Sequence, residues 1–180
     1  MEIISQLDKD SIIKFFSDNI IETQLFKKGK RTYIIYSTGI IFLAYLAVDF
    51  TFLRIILIII YILLNLFFKD IAKLFFRKEL NKVYSGSEYS YMFDKRNILI
   101  GDKQFIIRNS IEKRSIEYES IKSIHVLHEY IFVIFKNKTC IIFPVCDIEL
   151  IITKSEFVKL LEEKGGITAL YTYPDKLAYK

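Results

Sequence analysis

Hydrophobic positions are distributed unevenly along the 180-residue chain, and residues 32–68 account for most of the excess over an ordinary soluble sequence. This stretch carries only two charged side chains, Asp49 and Arg54, and no proline. As one helix it would be about 55 Å long, whereas the hydrocarbon core of a bilayer is about 30 Å thick and needs about 20 residues. Two helices of about 17 residues each fit that thickness better, and the two charges would then lie in the turn. The pattern predicts a two-helix transmembrane hairpin, with spans near residues 33–48 and 52–68.

Three alternatives to this hairpin follow from the same stretch. A single long, tilted helix stays open because no Gly or Pro marks the turn. A buried hairpin of a soluble protein would carry polar side chains at helical spacing, but residues 55–68 offer only Tyr61 and Asn65. A secretory signal peptide would have its apolar region nearer the N-terminus, followed by a small-x-small cleavage site. The transmembrane hairpin is the interpretation that the pattern favours.

Basic side chains flank the apolar stretch on both sides. They are Lys27, Lys28, Lys30 and Arg31 before it, and Lys69, Lys73, Arg77 and Lys78 after it. Positive charge on both outer flanks predicts a multi-pass protein of the inner membrane with both termini in the cytoplasm. We expect these side chains to lie beside anionic lipid headgroups. They also account for most of the net charge of +5, so no nucleic acid partner is predicted.

The segments on either side of the apolar stretch show helical periodicity. Apolar side chains recur at helical spacing between Ile12 and Leu25, which predicts an amphipathic helix in the N-terminal segment. Asp10 or Ser11 is the expected N-cap. A basic juxtamembrane helix is predicted after the apolar stretch, and the sequence "SGS" ends it.

From residue 88 onward the pattern changes to short β-like segments separated by turn residues. About seven strands are predicted, from "YSYMF" to "TCIIF". A single helix follows, because Thr153 and Glu156 match a capping box and two glycines stand at its end. This order predicts a pleckstrin-homology-like (PH-like) antiparallel β-barrel capped by one helix, and the whole chain is predicted to be an α+β membrane protein. The predicted divisions are a cytoplasmic amphipathic helix (1–31), the transmembrane hairpin (32–68), the juxtamembrane helix (69–84), the PH-like domain (88–166) and a tail (167–180).

This predicted architecture, together with "IEYESIKSIHVLHEYIFVIFKNKTCIIFP", resembles the bacterial YcxB-like family. The family pattern has an aromatic residue three positions before an Ile, then an aromatic-rich strand and a hairpin strand that ends in Ile-Pro-Lys. Tyr118 and Ile121 stand at the first two positions, Tyr130 begins the aromatic strand, and Pro144 ends the last one, with Val145 in place of the usual basic residue. The resemblance implies a membrane-anchored PH-like domain and no established activity.

Residue patterns that would support catalysis or metal binding are sparse. Cys140 and Cys146 lack the further ligands at tight spacing that a zinc site needs, so we expect them to be small buried hydrophobic residues. His125 and His128 lie three apart on a predicted strand and its edge, which directs them to opposite faces. No phosphate-binding glycine loop and no HExxH, GxSxG or SxxK motif is present. We therefore predict no cofactor, no metal site and no enzymatic activity.

The predicted function is interaction or scaffolding at the membrane. A protein partner of unknown identity would bind the PH-like domain, as it would in an adaptor, a regulatory factor or an immunity protein that neutralises a toxin. The alternative is a module that senses anionic lipid, with Lys95 and Arg96 in the first hairpin turn contacting the headgroups. Asn65 is placed to hydrogen-bond a neighbouring helix, which would favour a homo-oligomer.

Overall fold

The computed structural model describes residues 1–86, 89, 92–109 and 113–174. The chain divides into two compact units. We call the first, Met1–Ile12 with Val83–Lys180, the β unit, and the second, Ile13–Lys82, the helical unit.

Seven strands of the β unit form two antiparallel sheets. The first sheet has the order β1 (Glu2–Ser5), β2 (Arg96–Ile100), β3 (Gln104–Arg108) and β4 (Lys113–Glu117). The second sheet has the order β5 (Ile121–Val126), β6 (Tyr130–Phe135) and β7 (Cys140–Pro144). Two helices follow β7, namely α5 (Val145–Glu149) and α6 (Lys154–Gly165).

The two sheets and α6 share one hydrophobic core. Side chains alternate between the faces of a strand, so every second residue points inward. The ring of Phe143 lies 6.3 Å from that of Phe105 on β3 and 5.2 Å from that of Phe157 on α6, centroid to centroid. All three are fully buried, and each contributes about 1.5–3 kcal/mol through burial of its apolar surface. The remaining fully buried core residues include Ile3, Ile98, Ile124, Ile131, Val133, Phe135 and Leu161.

Helix α6 begins and ends as its sequence predicts. The hydroxyl of Thr153 accepts a hydrogen bond from the backbone N–H of Glu156 at 3.3 Å, and the Glu156 carboxylate accepts one from the Thr153 N–H at 3.2 Å. The capping box is therefore confirmed. Gly166 ends the helix with φ +61°, a left-handed conformation that glycine adopts without steric cost.

The predicted PH-like barrel is wrong. The described strands form two separate sheets, because a 3-10 turn at Tyr118–Ser120 separates β4 from β5 and no ladder joins them. The alternation of apolar residues is the same in open and closed sheets, so it carries no information about closure. The first strand also differs from expectation. It is β1 at the N-terminus, whereas Tyr89, Met92 and Phe93 of "YSYMF" lie outside the strands, and its second and third residues, Ser90 and Tyr91, lie outside the described part of the chain.

The helical unit contains most of α1 (Lys9–Asn19), then α2 (Gln24–Ala47), α3 (Thr51–Leu66) and most of α4 (Phe68–Tyr84). The N-cap of α1 is Asp8 rather than Asp10 or Ser11, since the Asp8 carboxylate accepts a hydrogen bond from the Ser11 N–H at 2.8 Å. The hydroxyl of Thr23 caps α2 in the same way at Phe26.

The predicted transmembrane hairpin, and with it the α+β membrane fold class, is also corrected. No single helix in the described ranges is long and apolar enough to cross a bilayer, and α3 with α4 would be so only as a pair bent by 57°. The reason is local: α3 ends after 16 residues, which span about 24 Å against a hydrocarbon core of about 30 Å. The first two turns of the longer α2 are basic. The fold is α+β, with two antiparallel sheets and six helices among the described residues.

Candidate functional site: an apolar helix pair with a basic end

Helices α2 and α3 form an antiparallel pair with two distinct ends. At one end the ring of Phe68 stacks on Tyr33 at 4.4 Å and lies 5.7 Å from Phe26. Near the middle, the hydroxyls of Thr38 and Tyr61 are hydrogen-bonded at 2.6 Å. The opposite end is the turn between Ala47 and Thr51. We call the first end the aromatic end and the second the turn end.

Beyond the basic first two turns of α2, the surface of this pair is mostly apolar. Neither helix contains a buried residue. Large exposed hydrophobic residues run through both helices and the turn that joins them, and they include Ile35, Ile40, Phe42, Leu43, Phe50, Phe52, Ile55, Ile59, Ile62, Leu63 and Leu66. A contiguous exposed apolar surface of this kind marks contact with a membrane or another protein, because a monomer in water rarely leaves so much apolar area exposed.

Polar side chains of the pair form hydrogen bonds within it. Asn65 donates to the carbonyl of Tyr61 at 2.9 Å, and Ser37 donates to the carbonyl of Ile34 at 3.2 Å. At the turn end, Nε of Arg54 donates to the carbonyl of Val48 at 2.7 Å. The amide of Asn65 and the hydroxyl of Ser37 therefore have protein partners, which lowers the desolvation penalty of an apolar environment for these two neutral groups.

Basic residues adjoin the aromatic end. This basic belt consists of Lys27, Lys28, Lys30 and Arg31 on α2 and Lys69, Lys73, Arg77 and Lys78 on α4. Six of the eight are exposed, Lys30 is half-buried, and Lys73 lies 3.4 Å from the carboxylate of Asp18. The structure thus places the two sequence-predicted clusters at the same end of the helix pair. The aromatic contacts at that end were missed, although aromatic residues between a basic and an apolar segment are a recognisable signal.

Lys95 and Arg96, the candidate headgroup pair, differ in their surroundings. Lys95 is exposed. Arg96 lies on β2, and its guanidinium is turned into the β unit, where Nη2 donates to the carbonyl of Ile142 on β7. Burial lowers the pKa of Arg96 to about 10, partly offset by the nearby Cys140 and Asp147. The structure therefore does not present these two charges together at the surface.

The residues of the family motif occupy structural positions in the β unit. The hydroxyl of Tyr118 donates to the carbonyl of Gly101 at 3.0 Å, and its burial raises its pKa to about 12. Burial likewise raises the pKa of Tyr130 to about 12. Ile121 approaches α6 so closely that a Cβ at Gly165 would lie 3.1 Å from its Cδ1. Pro144 ends β7 and is the N-cap residue of α5.

The histidines and cysteines are dispersed. His125 is buried, with Nδ1 2.8 Å from the carbonyl of Thr172, and His128 is exposed. Burial raises the pKa of the Cys140 thiol to about 12. Cys146 is exposed on α5, contrary to the expectation that both cysteines are buried. Within the described ranges, no group of three or more His, Cys, Asp or Glu side chains is arranged to hold a metal ion.

No protein-family model, no curated protein and no solved structure matches this chain. The resemblance to the YcxB-like family stays a prediction.

Proposed function

We propose that the protein is a membrane-attached binding module. Its helical unit attaches to a bilayer rich in anionic lipid, and its β unit presents a surface to a protein partner. The main support for membrane attachment is the order of side chains along the helix pair. The basic belt comes first, then the aromatic end, and then an apolar surface without a buried residue.

This order matches the layers of a bilayer. Anionic headgroups attract basic side chains with about 1 kcal/mol for each base near the surface. Aromatic rings favour the boundary between the headgroups and the hydrocarbon. The apolar side chains of α2 and α3 then embed in the hydrocarbon. Full burial of an entirely exposed Leu, Ile or Phe contributes about 1.5–3 kcal/mol, and each side chain here contributes the share that corresponds to its exposed fraction.

A protein partner on α2 and α3 would explain the apolar surface but not the bases beside the aromatic end. A second copy of the chain would place one basic belt near another in a parallel arrangement, which opposes association. An anionic lipid surface accounts for all three features at once.

Vesicle flotation of the full-length protein tests this attachment. We expect the protein to float with vesicles that contain phosphatidylglycerol and to bind neutral phosphatidylcholine vesicles more weakly. The triple variant Lys27→Gln, Lys28→Gln, Arg31→Gln should lose on the order of 100-fold in partitioning to anionic vesicles, at about 1 kcal/mol for each base removed. High salt should produce a similar loss in the unmodified protein.

The matched control removes three exposed lysines of the β unit, Lys103, Lys122 and Lys159, as Lys→Gln changes. This variant should partition like the unmodified protein. An equal loss of partitioning in both triple variants would mean that binding depends only on the net charge of the protein. That result would contradict the assignment of the basic belt as the lipid-binding region. Unchanged partitioning of the belt variant would contradict it as well.

A further inference from the structure

The β unit covers most of its open sheet edges with its own chain. Along β5, the backbone N–H of Val126 donates to the carbonyl of Leu170 at 2.8 Å, and the N–H of Leu170 donates to the carbonyl of Ile124 at 2.8 Å. Along β7, Arg96 donates to the outward carbonyl of Ile142, and Pro144 has no N–H. Helix α5 lies against β1. Uncovered edges recruit other strands, so this coverage limits unwanted pairing at three places.

The outer edge of β4 differs from these three. Residues 103 and 118 form a hydrogen-bonded pair, since the N–H of Tyr118 donates to the carbonyl of Lys103 at 3.2 Å. Such pairs alternate along an antiparallel ladder, so Ile116 and Arg114 bond to β3 while Lys113 and Ser115 direct their N–H and C=O groups outward. The β2–β3 hairpin gives the same alternation. The N–H of Gly101 donates to the carbonyl of Gln104, so Gln104 bonds to β2 and its neighbour at position 103 bonds to β4. No described residue hydrogen-bonds to the outward groups of Lys113 or Ser115.

Like charges meet beside this edge. Arg108 on β3 and Lys113 on β4 are direct cross-strand neighbours, both exposed, on the face of the sheet that points away from the core. They form a non-hydrogen-bonded pair, the closer of the two antiparallel spacings. Like charges directly opposite each other destabilise a sheet, and neither residue has an ion-pair partner within the described ranges. An acidic side chain on an added strand would lie next to Lys113 and would relieve this repulsion.

We propose that the outer edge of β4 binds an extended, acidic segment of a partner protein by antiparallel strand addition. The outward backbone groups of Lys113 and Ser115 bond to the added strand, and the charges of Arg108 and Lys113 select acidic side chains on its outer face. A second copy of the same edge fits poorly, because antiparallel pairing of β4 with itself would bring further bases together. This inference names the partner chemistry for the binding role proposed above, but it does not depend on lipid attachment.

A synthetic peptide of alternating Glu and Thr, fluorescently labelled, is the probe. Full-length protein in neutral phosphatidylcholine vesicles should raise its anisotropy, and a peptide of alternating Lys and Thr should not bind. In antiparallel addition, the residue opposite Lys113 exposes its side chain on the same face and directs its own N–H at β4. N-methylation of the Glu residues should therefore weaken binding by about tenfold or more, whereas N-methylation of the Thr residues should leave binding unchanged. Equal binding of the two methylated peptides overturns the proposal, since charge attraction alone does not distinguish them.

Two protein variants complete the test. Ser115→Pro removes an outward N–H and no ladder hydrogen bond, so the sheet should persist while peptide affinity falls by about fivefold or more. The double variant Arg108→Glu, Lys113→Glu should bind the Lys–Thr peptide instead of the Glu–Thr peptide. Retention of the original preference by the double variant overturns the proposal. Vesicle flotation of both variants should be unchanged, which separates a failure at β4 from a failure of membrane attachment.

Discussion

The β unit and the helical unit contain similar apolar residues in opposite surroundings. In the β unit, Phe105, Phe143 and Phe157 lie inside a core made by the chain itself. In the helical unit, Phe50 and Phe52 at the turn end are 74% and 72% exposed. The two units therefore obtain their stability from different sources. Packing within the chain stabilises the β unit. The free energy of the helix pair depends instead on the medium around its exposed apolar surface, because that surface is favourable in hydrocarbon and unfavourable in water.

A substitution in the core of the β unit should have a greater effect than any other change considered below. Phe143→Ala should lower the free energy of unfolding of this unit by about 3–5 kcal/mol, because the lost ring leaves a cavity beside Phe105 and Phe157. Hydrogen exchange of the amides of β5–β7 measures this change. Phe52→Ala in the helical unit is the control and should leave the exchange of those amides within about 0.5 kcal/mol of the unmodified protein. A comparable loss of β-unit stability from Phe52→Ala would contradict the view that Phe143 and Phe52 contribute to two different units.

The second effect contrasts two isoleucines of similar exposure. Ile59 on α3 is 51% exposed and Ile4 on β1 is 55% exposed. Ile59→Asp should weaken binding to vesicles by about 2.5–3.5 kcal/mol if its side chain enters hydrocarbon, since a carboxylate is costly there. Ile4→Asp, which places the same charge on the outer face of a sheet, should leave vesicle binding unchanged. Equal binding of the two variants in flotation would contradict the distinction between the units.

Local signals made parts of the β unit predictable. The capping box at Thr153 and Glu156 and the terminal glycine of α6 are short-range patterns with a direct structural cause, and both are found. Short runs rich in β-branched and aromatic residues likewise mark β5, β6 and β7. Strand β1 carries no such signal, because its four residues precede the segment they pair with by more than ninety positions, as in the Ser5–Arg96 pair. Because β1 was not predicted, Arg96 was assigned to an exposed turn. In the structure Arg96 lies on β2, and its guanidinium points into the β unit.

The helical unit shows a different limit. The apolar stretch was evident from composition, but the breaks at Val48–Phe50 and Phe67 involve neither Gly nor Pro. Helix length, and hence the ability to cross a bilayer, depends on those breaks. The basic belt could be found from charge alone, but its position beside Phe26, Tyr33 and Phe68 depends on how α2 and α3 pair. The outer edge of β4 could be identified only once the strand order was known.

A third, smaller effect concerns the cap of α6. Thr153→Ala should destabilise the β unit by about 1 kcal/mol at neutral pH, because the N–H of Glu156 loses its acceptor. Hydrogen bonds from Thr153, chiefly that of its side chain, lower the pKa of Glu156 below its ordinary value of 4.5. A carboxyl group with a lowered pKa stabilises the folded state above its unfolded pKa, and this contribution is lost as the pH falls through the folded pKa.

The pH dependence separates the two halves of this cap. Denaturation midpoints measured from pH 7 downward should fall more steeply below pH 4.5 for the unmodified protein than for Glu156→Gln, which has no titrating group at this position. Helix α2 offers no equivalent, since the hydroxyl of Thr23 caps it without a carboxylate in its first turn. Identical pH profiles for Glu156→Gln and the unmodified protein would contradict the contribution of the ionised Glu156.

The smallest expected change is in the labelling of two thiols and requires no loss of stability. Thiolates, not thiols, react with maleimide. Burial raises the pKa of Cys140 to about 12, so at neutral pH it should stay unlabelled, while the exposed Cys146 reacts first although partial burial also raises its pKa. Peptide mass spectrometry distinguishes the two sites. Labelling of Cys140 then reports opening of the β unit, so Phe143→Ala should accelerate it and Phe52→Ala should not. Labelling of Cys140 as fast as that of Cys146 in the unmodified protein would contradict the burial of β7. It would also contradict the contrast between the β unit, whose core is formed by the chain itself, and the helix pair, whose apolar surface depends on the surrounding medium.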